Sequence, residues 1–140
     1  MKWFMDRRTK TLKDIENSQD IKLLIDEFYK QVVGDDLIGH FFTKVIPLDM
    51  DKHLPVMYDF WETTLLGNMK YKGNPMVKHI ELSQKVPIQP EHFERWLALW
   101  ERTITENFDG TKTEEAIQRA KQIAELMKYK VQQHSTKIND

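Results

Sequence analysis

Cysteine is absent from the 140 residues. That excludes disulfides, thiolate metal sites, cysteine nucleophiles and thioether attachment of a prosthetic group, so a bound metal would have to be held by nitrogen or oxygen. No apolar run approaches the roughly 20 residues needed to cross a bilayer, and Met1 to Lys13, which carries Arg7, Arg8, Lys10 and Lys13, has no apolar core of a signal peptide. The expected location is cytoplasmic, with that basic stretch a solvated extension. Charge of one sign is also lacking: 21 Lys and Arg stand against 22 Asp and Glu, a net charge of −1. No global field favours a polyanion, and neither nucleic acid nor membrane is expected as a partner. Missing too are the glycine-rich dinucleotide and phosphate loops, the His-Glu-x-x-His metal helix and the Gly-x-Ser-x-Gly elbow, which closes the usual nucleotide, zinc-hydrolase and serine-hydrolase routes.

What is present reads as helix. Hydrophobic residues make up 40% and charged residues 31% of the chain, the composition of one globular domain. Ile21, Leu24, Ile25, Phe28 and Val32 recur as one helical face, with Ser18 or Asp20 available as cap and Gly34 as terminator. A short helical piece is expected through Leu37, Phe41 and Phe42. Asp49 or Asp51 can open the next helix, with Pro55 in its first turn, His53, Met57, Phe60, Trp61 and Thr64 on one face, and Gly67 at its end. After a turn-rich stretch, Asn74 and Pro75 can start a stub that reaches about Leu82 and carries His79. From Pro90 the residues Phe93, Trp96, Leu97, Trp100, Ile104 and Phe108 mark a strongly amphipathic helix, whose Arg95 and Arg102 fall on the polar side with no specific role. Thr111 with Glu114 suggests a capping box for a last helix through Ala116, Ile117, Ala120, Ile123, Ala124, Met127 and Val131, with a polar tail fraying after Gln132. No segment alternates as a strand would, and Lys85-Val-Pro-Ile88 is broken by proline. The expectation is an all-α chain with about four long and two short helices, Trp100 and Met127 in the core.

The five histidines, His40, His53, His79, His92 and His134, show no i, i+4 pair that would make a two-histidine metal face. A single-histidine site remains, and haem needs one protein ligand because its macrocycle supplies the equatorial nitrogens. On spacing alone, a histidine near a helix end is more often a cap or a solvated side chain, so the ligand reading of His79 stays open at this point. It gains weight from the order along the chain: Phe28-Tyr29, Phe41-Phe42, His53 eight residues before Trp61, Gly73-Asn-Pro75 leading to His79, then Phe93-Glu-Arg-Trp96.

With Ile25-Asp-Glu-Phe-Tyr29, Phe60-Trp61 followed by Leu65-Leu66-Gly67, Tyr71-Lys-Gly-Asn-Pro75 to His79, and Phe93-Glu-Arg-Trp96-Leu97, the chain resembles the truncated haemoglobins, most closely their third bacterial group, from about Ile15 to Val131. The resemblance implies a two-over-two helical sandwich around a non-covalent b-type haem, in one globin domain spanning 1–140 with its core at about 15–131. It implies His79 as the iron ligand, and Tyr29, Trp96 and His53 on the side that binds the gas. Phe42 would wedge against the haem, with Trp61, Leu65 and Phe93 packed nearby. Tyr71 and Lys78 are candidates for the propionates, although a lysine beside a ligand helix is more often solvated. His53 is left as donor, gate or sixth ligand. The glycine pairs of many truncated globins are not evident, which agrees with the third group and leaves an internal gas tunnel in doubt. The implied function is reversible binding of dioxygen, nitric oxide or carbon monoxide, dioxygen foremost, by a monomer, as in oxygen transport. A phenol and an indole N–H aimed at the partly negative bound oxygen would each add roughly 0.5–1.5 kcal/mol, or more in a dry pocket. The alternative is a haem enzyme turning over nitric oxide or peroxide, with room for a reductase partner; a haem-free helical module is the third reading.

Overall fold

The computed structural model describes residues 11–45, 49–69 and 88–139. Its four long helices are α1 (Ser18–Val33), α2 (Met50–Leu66), α3 (Pro90–Asn107) and α4 (Thr111–Asn139), with a short π-helical turn at Phe41–Val45; no strand occurs among the described residues. α1 packs on α2 and α3, α3 packs on α4, and α2 touches α4, the two-over-two helical sandwich. The stub expected at 74–82 and the basic stretch before Thr11 lie outside the described residues.

Helix α1 buries Ile21, Leu24, Ile25, Phe28, Tyr29 and Val32. Its cap is neither Ser18 nor Asp20 but Asn17, whose side-chain oxygen accepts the Asp20 N–H at 3.0 Å. The two expected caps are spent elsewhere. Ser18 donates its hydroxyl to Glu62 of α2, and the Asp20 carboxylate turns back to accept the Glu16 N–H at 2.9 Å and Lys13 Nζ at 2.5 Å. Beyond Gly34, Asp35 accepts the amides of Leu37 and Ile38 at 3.0 and 3.1 Å and receives Arg95 of α3, with Nη2 at 2.6 Å. Arg102 likewise reaches Gln31 of α1, at 2.6 Å from Nη2. Arg102 therefore ties α3 to α1, and Arg95 ties it to the segment that follows α1, roles that helical periodicity does not display because the partners lie elsewhere in the chain.

Asp49 caps α2 by accepting the Asp51 N–H, and Gly67 ends it in the left-handed conformation at φ 75°, where a glycine carries no Cβ penalty. Pro55 falls in the second turn of α2, not the first, since the helix starts at Met50. α3 opens with Pro90, and His92 Nδ1 accepts the Gln89 N–H at 2.9 Å, the position a glutamate usually fills in a capping box. Its buried stripe is wider than expected. Leu99 and Thr103 join Phe93, Trp100 and Ile104, and the Thr103 hydroxyl is satisfied by the Leu99 carbonyl at 2.7 Å.

The start of α4 differs most from expectation. Thr111 already lies in the helix, and the acceptor for the first free amides is Asp14, 98 residues upstream of Lys112. Its carboxylate takes the Lys112 N–H at 2.8 Å and the Thr113 N–H and hydroxyl at 2.9 Å each. Gly110, at φ 144°, makes the approach possible, because a Cβ there would stand 2.5 Å from Asp14 Cγ. Lys13 accepts the Asp109 N–H through its carbonyl at 3.0 Å, and Ile15 is buried beside it. The far end of α4 runs on to Asn139 instead of fraying after Gln132. Neither proline nor glycine interrupts the sequence there.

Burial raises the Asp14 carboxyl, but the hydrogen bonds from Lys112, Ile15 and Thr113 outweigh it and hold the group below the usual carboxylate range. A depressed folded value means that this stabilisation is present above the unfolded carboxylate pKa and is lost as pH falls through the folded one. Asp14→Ala removes a helix-cap acceptor and is expected to cost about 1–2 kcal/mol at neutral pH. The loss should shrink towards acid, where wild type has lost the same interaction. Urea unfolding of both proteins at neutral and acid pH checks this: a constant difference across the range would show that Asp14 does not act through its charge.

Candidate functional site

Tyr29 and His53 meet between α1 and α2. The phenol follows Phe28 on the flank of the buried α1 face that turns towards α2, and His53 lies one turn inside α2. Tyr29 Oη and His53 Nε2 are 3.0 Å apart, with ring centroids 5.1 Å apart and planes at 88°. Tyr29 is buried, which pushes its phenol well above the ordinary tyrosine range. It is a neutral donor at any physiological pH.

Aromatic rings wall this pair. Phe42 stands edge-on to Tyr29 at 6.3 Å, delivered by the π-helical turn, whose extra residue re-aims the side chains that follow. Phe28 meets Tyr29 at 5.2 Å on one side and Trp96 of α3 at 5.7 Å on the other, both edge-on. Phe28 is thus the ring through which Trp96 joins the Tyr29 and His53 pair, although along α1 it looks like any other member of the buried stripe. Trp96 is half-buried and lies parallel to Trp100, which stacks in turn on Trp61 at 4.4 Å. Leu65 is buried one turn beyond Trp61.

A second polar tie, not expected from the sequence, lies one turn from the first: the Tyr58 hydroxyl donates to the Asp26 carboxylate. Burial first, and Asp26 next, push Tyr58 up to about 12. Near the end of α2, buried Glu62 accepts from Ser18 and from the Asn68 amide at 3.0 Å. These bonds hold α1 and α2 at the separation at which Tyr29 reaches His53. The signal for them would have been acidic or hydroxyl residues on flanks of otherwise apolar faces, which is legible only once the partner helix is placed.

Of the remaining candidates, Phe93 is buried in a smaller cluster with Met127 and Val131, packed by Ile88 and Ile123. Tyr71, Lys78 and His79 lie outside the described residues. The arrangement brings together one buried phenol, one imidazole and one indole on an otherwise apolar wall. It can offer hydrogen bonds to a small polar ligand while excluding bulk water.

Comparison with known proteins gives concordant results. The family described as bacterial-like globin matches residues 12–129. The group 3 truncated haemoglobin ctb of Campylobacter jejuni is 32% identical over 111 residues, covering 77% of this chain and 85% of that protein. The group 1 truncated haemoglobin GlbN of Synechocystis is 36% identical over 75 residues, 53% of this chain and 58% of that one. The crystal structure of the group III truncated haemoglobin from Campylobacter jejuni superposes with a TM-score of 0.74 at 27% identity, covering 86% of this chain and 95% of the other.

The ring wall has an unequal energetic weight along its length. Trp100 is 1% exposed and donates its indole N–H to the Ala116 carbonyl at 3.2 Å, whereas Trp96 is half-buried. Trp100→Ala is expected to cost about 3–5 kcal/mol of stability, and Trp96→Ala clearly less, because its site can refill with water. Guanidinium unfolding of the two variants measures the difference, and equal losses would mean that Trp96 is as much a core residue as Trp100.

Proposed function

The chain belongs to the bacterial-like globin family, and from that premise we propose that it is a haem-binding globin holding b-type haem non-covalently through His79 and reversibly binding dioxygen beside Tyr29, His53 and Trp96. The observation that carries the reading is the 3.0 Å contact between Tyr29 and His53, a polar pair set into a wall of rings. That wall fits a flat apolar macrocycle with one polar spot facing its metal. Phe42, Trp61, Leu65 and Phe93 would supply apolar contact, and Tyr71 and Lys78 would meet the propionates. Bound haem supplies an iron centre whose open position takes a diatomic molecule and leaves partial negative charge on its outer atom.

The residues of the chain act on that charge. Tyr29 keeps its proton, because burial disfavours the phenolate. Its partner decides where the proton points. When His53 Nε2 carries hydrogen and donates to the phenol oxygen, Tyr29 is free to donate to the ligand, and the bond it receives strengthens the one it gives. When Nε2 lacks hydrogen, the phenol donates to His53 instead, and a ligand must compete for it. Trp96 adds an indole N–H from the opposite helix. Both donors hold polar dioxygen in preference to less polar carbon monoxide.

The optical spectrum in ferric, ferrous and carbonmonoxy forms tests the cofactor directly, since a protein without haem shows no Soret band. His79→Ala is expected to lose haem or to retain it only with added imidazole; an unchanged ferrous spectrum in that variant would remove His79 as the ligand. Tyr29→Phe keeps the ring and removes the donor. A lost bond of about 1.4–2.8 kcal/mol should speed dioxygen dissociation roughly ten- to a hundredfold and leave carbon monoxide nearly unchanged. Stopped-flow rates for both gases decide it: equal shifts for the two would mean that Tyr29 is a packing residue.

A further inference from the structure

Three of the four tryptophans of the chain form one stack. Trp96 and Trp100, one turn apart on α3, have ring planes 7° apart and centroids 6.2 Å apart. Trp61 of α2 lies against Trp100 at 4.4 Å with planes 25° apart. The stack starts at the ligand wall, where Trp96 is half-buried, and runs into the driest part of the core, where Trp100 and Trp61 are 1% and 3% exposed. Packing alone asks only for apolar volume. Leucine or phenylalanine would supply it without an N–H to satisfy, whereas Trp100 needs the Ala116 carbonyl at 3.2 Å. Indole and phenol are the side chains that most readily give up one electron, and near-parallel rings let the remaining charge spread. The chain has no cysteine to compete for that role.

We propose that the Trp96–Trp100–Trp61 stack is a one-electron reservoir for the ligand pocket, drawn on when a hydroperoxide, instead of a diatomic gas, is reduced there. The inference rests on the haem reading above. Reduction of a hydroperoxide breaks its O–O bond, consumes two electrons and two protons from solvent, and yields one alcohol and one water. The stack supplies one electron and becomes an indole radical cation; the other comes from oxidation of ferrous to ferric iron. The Trp100 N–H points at a carbonyl, too weak a base to take its proton, so the radical remains a cation shared along the stack. Tyr29 is the competing donor. It can lose an electron only as its proton passes to His53 Nε2, 3.0 Å away.

The test mixes the ferrous haem-loaded protein anaerobically with one equivalent of tert-butyl hydroperoxide, freezes it, and records the electron paramagnetic resonance spectrum. The expected result is an organic radical whose hyperfine width narrows in protein grown on ring-deuterated tryptophan and not in protein grown on ring-deuterated tyrosine. Trp61→Phe and Trp96→Phe should each lower its yield severalfold, and Trp100→Phe, which interrupts the middle, should remove it. If Trp100→Phe does not fold, the isotope result and the two end variants decide. A radical that responds only to tyrosine labelling, or hydroperoxide consumed with no organic radical, overturns the proposal. With the Soret band present and dependent on His79, either outcome leaves the gas-binding reading standing; absence of the Soret band removes both.

Discussion

Phe28 is the ring on which the site depends. It is 1% exposed and stands edge-on to Tyr29, Trp96 and Trp100, with centroids 5.0 to 5.7 Å away. Edge-to-face contacts of this kind have a preferred geometry as well as an area, so one residue fixes both the distance and the rotation of α1 against α3. Once α1 is so placed, Tyr29, the next residue, must face α2. The hydrogen bonds from Ser18 to Glu62 and from Tyr58 to Asp26 then set the spacing of α2, and His53 comes within reach of the phenol. The polar pair is a consequence of an apolar contact on the other side of the helix.

Much of the fold was legible because it is written locally. The apolar stripes of α1 and α3, Asp49 as cap and Gly67 as stop all act within a turn or two of their own position, and they lie where periodicity and cap chemistry put them. What escaped was non-local. Asp14 caps α4 from the far end of the chain, Arg95 finds Asp35 in the loop after α1, and Ser18 is unavailable as a cap because Glu62 claims its hydroxyl. The π-helical turn at Phe41–Val45 also has no local signature. The site shows the same division. Tyr29, Trp96 and His53 came together as site candidates through resemblance to a family, not through spacing, since three residues on three helices share no period. Phe28 and Tyr58 went unnoticed as supports because nothing in their own segments distinguishes them from ordinary members of a helix face.

Carboxylates do the joining in this chain. Asp14, Asp20 and Asp35 each accept backbone amides at an irregular segment, and Asp20 and Asp35 also take a cation from elsewhere. For Asp35 the Arg95 guanidinium is the main reason the carboxyl lies below its usual range; for Asp14 and Asp20, burial opposes the shift and the donors overcome it. Acidic side chains are well suited to this, because one group has enough lone pairs for several orphan donors, where a hydroxyl has fewer. The near-neutral net charge therefore conceals a specific division of labour: acids hold the corners, and rings hold the interior.

That division bears on what the ring interior is for. If the rings served stability alone, the least exposed of them would be expected to carry no polar atom, since each buried N–H or O–H must find a partner or cost free energy. Instead the most buried tryptophan spends its N–H on a main-chain carbonyl of α4, and the buried tyrosine hydroxyl shares a hydrogen bond with a histidine of α2. The two cases differ in chemistry. The Ala116 carbonyl cannot exchange a proton with its donor, while His53 can. Under the proposed function, Tyr29 would give and regain a hydrogen bond as a ligand comes and goes, while Trp100, bonded to a carbonyl, keeps its proton. A single aromatic wall then carries two kinds of polar group with opposite proton behaviour, exchangeable at Tyr29 and fixed at Trp100, and under the proposed function that order puts the exchangeable group beside the ligand and the fixed one away from it.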